Sequence, residues 1–146
     1  TEHLLEIPVA AQVETGSGLL LVAIEAGLAA SVDDVFTFDA ALVDTGTYTY
    51  SAAHEFFSSV VAGQVGTEVE LGAKTFTNGL LDAADIVFTS VSGSTVEALV
   101  LFVKNAGANT TWRLFAYIDT GVTGLPVTPN GGNINVTWNA SGIVQL

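Results

Sequence analysis

From Val35 to the end of the chain, apolar residues return at every second position in one segment after another. A period of two is the repeat of an extended strand, whose side chains alternate between two faces. In "VFTFDAALV" it places Phe36, Phe38, Ala40 and Leu42 on one face. In "TEVEL" it turns Val69 and Leu71 inward and Glu68 and Glu70 outward. "TWRLFAYID" puts Trp112 with Leu114 and Ala116, and "NINVTW" puts Trp138 with Ile134 and Val136. "DIVFTSV" and the closing "IVQL" read as further strands. "STVEALVLFV" is apolar on both faces, the pattern of a central strand covered from both sides. Asn78-Gly79 stands where a two-residue hairpin needs positive φ. About eight strands separated by Gly and Asn turns imply a mainly β fold, an antiparallel sandwich or jelly-roll-like barrel with one or two short helices.

Two stretches break the alternation. "SAAHEFFSSVVAG" spaces Ala53, Phe56, Phe57, Val60 and Val61 as on a helix face, with Ser51 as N-cap and Gly63 as stop. A short helix is expected from Ser51 to Val61. "LLLVAIEAGLAA", Leu19 to Ala30, suits a buried helix by its length and alanines, although Gly27 weakens it. The run is too short to span a bilayer, carries Glu25 and lacks a basic flank, so a soluble protein is expected. Residues 1–18 read as an N-terminal arm or edge segment and 19–146 as a single β-rich domain. Leu4, Leu5, Ile7 and Val9 are apolar without a clean period, and Pro8 is poorly suited to a central strand. Residues Thr1 to Glu14 are therefore expected either to reach a neighbour or to lie along the domain's own edge.

Charge excludes several partners. Fifteen Asp and Glu stand against three cations, Lys74, Lys104 and Arg113, for a formal net charge of −12. Three dispersed cations cannot neutralise a run of phosphates, so neither nucleic acid nor an anionic membrane is expected as a partner. Charged residues make up only 12% of the chain and apolar ones 49%, which points to surface buried against other subunits. The absence of cysteine excludes disulfides, thiolate metal sites and cysteine nucleophiles.

The residues that could carry chemistry have structural uses close by. In "TPNGGNINVTWN" a phosphate cradle would need a helix after Gly131-Gly132, usually with a Lys. An alternating strand follows instead, so this is a turn. Ser51, His54 and Glu55 invite a triad, but Ser51 and His54 would share one helical turn, and no Gly-X-Ser-X-Gly elbow occurs. Asp33, Asp34, Asp39, Asp44, Asp82, Asp85 and Asp119 lack the alternating calcium loop, and most sit at strand ends, where Asp supports turns. Trp112 and Trp138 could form a sugar-binding platform, although their apolar neighbours assign them to the core. Sequons at Asn109, Asn135 and Asn139 matter only in a secreted eukaryotic protein. No catalytic, cofactor-binding or metal residue is assigned, and an enzyme is not expected.

Three stretches are distinctive together: Ala40 to Gly63, Lys74 to Phe102, and Arg113 to Ile143. On these the chain resembles small structural proteins encoded among the head and tail genes of tailed bacteriophages. In that family an "ALVDT" strand precedes a segment bearing Tyr, Ser and His, and a "GLPVTPNGG" turn leads into a final strand with Trp. The likeness covers roughly Ala40 onwards; residues 1 to 30 are longer and more apolar than the family's N-terminal segment. The resemblance implies a non-enzymatic virion protein without cofactors, made in the host cytoplasm and seated on the outer capsid surface as a decoration or cement protein. Its expected partners are the major capsid protein and further copies of itself, as a trimer. A tail-associated protein and a carbohydrate-binding β-sandwich module are the alternatives.

Overall fold

The computed structural model describes residues 3–7 and 36–145, and all that follows concerns these. Ten strands are formed among them: β1 (His3–Ile7), β2 (Phe36–Val43), β3 (Gln64–Glu70), β4 (Thr75–Thr77), β5 (Leu80–Asp82), β6 (Ile86–Phe88), β7 (Ala98–Asn105), β8 (Arg113–Ile118), β9 (Ile134–Trp138) and β10 (Val144–Gln145). They make a four-stranded antiparallel sheet in the order β3-β2-β7-β8, and two three-stranded sheets, β1-β9-β6 and β10-β5-β4. The fold is mainly β, as the alternation requires.

One hydrophobic cluster joins the layers as a sandwich does. Phe38, Ala40, Leu42, Leu99, Leu101 and Ile118 of the four-stranded sheet meet Leu5, Ile86, Phe88, Ile134, Val136 and Trp138 of the β1-β9-β6 sheet. Leu81 of β5 and Val144 of β10 belong to the same core. On its other face the four-stranded sheet carries Ala41, Val43, Ala98, Val100, Phe102, Leu114 and Tyr117, covered by Tyr48, Phe57 and Val60 from the connection after β2. Strand β7 is thus buried on both sides, the reason its sequence shows no alternation. The β4–β5 hairpin turns on Asn78 and Gly79, at φ 53° and 79°.

The helix expected from Ser51 to Val61 does not form. Phe57 donates its amide to the Trp112 carbonyl, Leu114 donates to that of Glu55, and Phe56 bridges Arg113, so this stretch docks against the start of β8. Two single 3-10 turns, Phe57–Ser59 and Val61–Gly63, follow. Backbone bonds to a sheet edge outcompete a short helix that would bury the same phenylalanines. Ser51 caps only a local turn, accepting the Ala53 amide at 3.2 Å. The expected helix from Leu19 to Ala30 lies outside the described residues.

Two irregularities shift side chains between faces. Between Leu101 and Phe102 the β7–β8 register slips, so that Phe115 and Ala116 both enter the inner core. Trp112 and Leu114 stay on the outer face, so the expected grouping of Trp112 with Ala116 fails at this bulge. In β3, Gly66 takes a φ of 73° where the register against β2 breaks. Within the expected arm, the described part is an edge strand: β1 runs parallel to β9, and Leu5 is fully buried in the core.

Candidate functional site

The Tyr, Ser and His segment after β2 builds a hollow of about 360 Å³ at one end of the four-stranded sheet. Its lining is Thr45, Tyr48, Thr49, Tyr50, Glu97, Tyr117 and Asp119. Asp44 starts the turn by accepting the Gly46 amide and the Thr47 hydroxyl, both at 2.8 Å. Those bonds, from Thr47 first and Gly46 second, lower the Asp44 pKa below the usual carboxylate value. The Asp44 amide in turn donates to the Gly63 carbonyl at 2.8 Å, closing the loop at its far end.

Tyrosine rings form the body of the site. Tyr50 stacks on Tyr117, with centroids 4.8 Å apart and planes at 23°. Tyr48 leans on Tyr117 at 6.0 Å, and its hydroxyl shares a hydrogen bond of 3.0 Å with His54 Nδ1. Tyr48 and Tyr117 are buried, while Tyr50 is half-buried and offers part of its ring to the hollow. Carboxylates complete the rim. Glu97, just before β7, accepts the Thr45 amide at 2.9 Å and donates its own amide to the Val43 carbonyl. Asp119 follows β8 and is exposed. The hollow thus sets the half-exposed Tyr50 ring beside negative charge.

The other suspected residues do not converge. Ser51 holds its own turn, His54 is occupied by Tyr48, and Glu55 lies 3.6 Å from Arg113, so the triad arrangement is not assembled. Asp82 accepts the amide of the next residue, Ala83, as expected of a strand-end Asp, whereas Asp85 accepts the distant Trp138 amide and ties the start of β6 to the end of β9. Asp33 and Asp34 lie outside the described residues. Among the described residues no group of three or more His, Asp or Glu is placed to hold a metal. The Gly131-Gly132 amides are engaged within the fold, by the Val91 carbonyl and by Asn130 Oδ1, and φ of 87° at Gly131 makes the bend. Trp138 is buried and donates Nε1 to the Ala84 carbonyl. Trp112 is half-buried, donates to the Asn105 and Gly107 carbonyls, and stacks on Phe102.

Asp39 is buried on the outer face of β2, between Thr37, which donates to it at 2.6 Å, and the Lys104–Glu68 pair. Burial raises its pKa against the opposing effects of Thr37 and Lys104. At Glu68 burial works in the same direction, but hydrogen bonds from Lys104 and Gln64 outweigh it and the pKa is lowered. Sequence reading missed the tyrosines, because "DTGTYTY" is plain turn chemistry and Tyr117 is one apolar position in a strand. No local signal marks them: Tyr48 and Tyr50 follow the turn, and only the folded sheet brings Tyr117 against them. No known family model matches the chain, and no curated protein is similar enough to it to count as a match.

Proposed function

We propose that this protein is a non-enzymatic structural component of a tailed-phage virion, a decoration or cement protein on the outer surface of the capsid. The observation that carries the reading is the disposition of charge. Each of the three side-chain cations is tied to a carboxylate of the same chain: Lys74 to Glu70 at 4.0 Å, Lys104 to Glu68 at 2.7 Å, and Arg113 to Glu55 at 3.6 Å. The rest of the charge is negative, which suits a surface facing away from packaged DNA.

The segments that carry the phage resemblance have building roles in the fold. "ALVDT" is the end of β2 and its turn, Asn78-Gly79 is a hairpin, and "PNGG" is fastened to Val91 ahead of β9. A carbohydrate module would need an open aromatic platform, and both tryptophans are committed to packing. The trimer belongs to the same proposal, with Leu4, Val61 and Val87 as exposed apolar residues available to a neighbour.

The test uses particles of the phage that encodes the chain. Mass spectrometry of gradient-purified virions should find it at stoichiometric amounts, and shells lacking it should take up the recombinant protein and sediment with it. Its absence from purified virions would sink the proposal. Light scattering at micromolar concentration should return three times the chain mass, and a strictly monomeric mass would remove the trimer.

A further inference from the structure

We propose that the tyrosine hollow takes the guanidinium of an arginine side chain presented by the protein to which this chain docks. The source of that arginine rests on the docking role proposed above; the chemistry of the hollow does not. The argument comes from how the chain treats its own cations. Lys74 lies 5.8 Å from the Phe38 ring centroid and beside Glu70. Lys104 lies 4.9 Å from the Trp112 ring and on Glu68, and Arg113 lies 5.0 Å from the Phe56 ring and near Glu55. All three are held between an aromatic face and a carboxylate, which is how a cation is desolvated at least cost.

The hollow offers the same pair of elements, the half-exposed Tyr50 ring backed by buried Tyr117 and Tyr48, with Glu97 and Asp119 beside it, in a space of about 360 Å³. That volume falls at the lower end of the range of small-ligand sites, with room for a guanidinium. All three side-chain cations are engaged elsewhere, so a cation in the hollow would come from another molecule. A planar guanidinium fits better than an ammonium, since it can lie along the half-exposed Tyr50 ring and present its edge to a carboxylate in a fork. Gly63 is part of the device. A Cβ there would meet Tyr48 Cβ at 2.6 Å, so only glycine lets the loop close with Tyr48 in place.

Nα-acetyl-arginine amide titrated into the full chain at low ionic strength, followed by amide chemical shifts, decides the chemistry. Saturable shifts are expected around residues 45–50, 97 and 119, weakening with added salt. The neutral citrulline counterpart should bind at least about tenfold more weakly. The double variant Glu97→Gln with Asp119→Asn should lose at least about tenfold for arginine amide. The glutamine side-chain carbonyl of that variant retains an acceptor for the Thr45 amide, and an unchanged melting temperature verifies the fold. Equal binding of citrulline, no saturation with arginine amide, or tighter binding of a monosaccharide such as glucose would each overturn the proposal; the last would make the hollow a saccharide site. In the shell-uptake assay the double variant should attach at least about tenfold more weakly, and attachment at unaltered strength would refute the docking role. Should the unaltered chain fail to attach at all, the capsid reading falls, while the arginine titration still decides what the hollow binds.

Discussion

Asp39 and Gly63 show how much single positions decide here. Asp39 is nearly inaccessible, and the groups that face it are Thr37, Lys104, Glu68 and Glu70. Because burial raises its folded-state pKa above 3.8, folding favours the protonated form. Its ionised form therefore costs stability at neutral pH, and that cost is relieved as pH falls through the folded pKa towards 3.8. Asp39→Asn keeps an acceptor for the Thr37 hydroxyl, so thermal melts should show it more stable than the parent at pH 7. The gain should shrink as pH approaches 4. Asp44 has the opposite sign: its lowered pKa makes its turn strongest above 3.8 and loosens it as pH falls further. Gly63→Ala must push a methyl into Tyr48 Cβ and the Asp44 carbonyl. Overpacking of this kind costs about 1–3 kcal/mol, or roughly 2–4 °C of melting temperature per kcal/mol at this chain length. The same variant should also lose the arginine response of the hollow. An unaltered melting temperature would mean that the loop yields without cost.

At the scale of elements, most strands were legible, and connections only where a turn demands a particular residue. Alternation in β3 and β9 follows from their one core-facing side, and the unbroken apolar run of β7 from its two. Strand β2 is also buried on both sides, and it alternates in sequence because Thr37 and Asp39 stand on the outer one. The β4–β5 turn was legible because positive φ at both central residues selects Asn and Gly. The segment from Ser51 to Val61 misled because its apolar spacing suits a helix and also suits docking on β8, and only the tertiary partner decides. The hollow was illegible for a related reason: Tyr48 and Tyr50 come from a turn, Glu97 precedes β7, and Asp119 follows β8. No local pattern marks residues that meet only after the sheet has formed. Strand β1 was ambiguous in sequence, yet its tie to the body is specific. Leu5 is fully buried opposite Val136, and Gly124 passes so close that a Cβ there would meet the Leu4 carbonyl at 2.5 Å. Leu5→Ala should therefore cost about 2–5 kcal/mol in urea unfolding, the range for emptying a buried leucine site. A cost below about 0.5 kcal/mol, the size of a surface substitution, would place β1 outside the cooperative core.

For the whole molecule, charge is the quantity that folding does not balance. The chain carries −12 with only three cations, and each cation is engaged in a partially exposed pair with its own carboxylate. Two effects of salt then compete. Screening weakens the three pairs, each worth about 0–1 kcal/mol at such exposure. It also weakens the mutual repulsion of the remaining carboxylates, which opposes the compact state and the approach of a second copy. Repulsion counts many pairs over the Debye length of about 10 Å at 0.1 M, while attraction counts three. Repulsion should win. The melting temperature is expected to rise between about 0.02 M and 0.5 M sodium chloride, where the Debye length falls below about 10 Å. Self-association by light scattering should strengthen over the same range. Binding of arginine amide should weaken, because there the charges are opposite. A melting temperature that falls with salt would mean that the ion pairs of Lys74, Lys104 and Arg113 contribute more to stability than the repulsion among the remaining carboxylates takes away. The Lys104→Gln variant would then identify the responsible pair, since the Lys104–Glu68 contact is the shortest of the three at 2.7 Å.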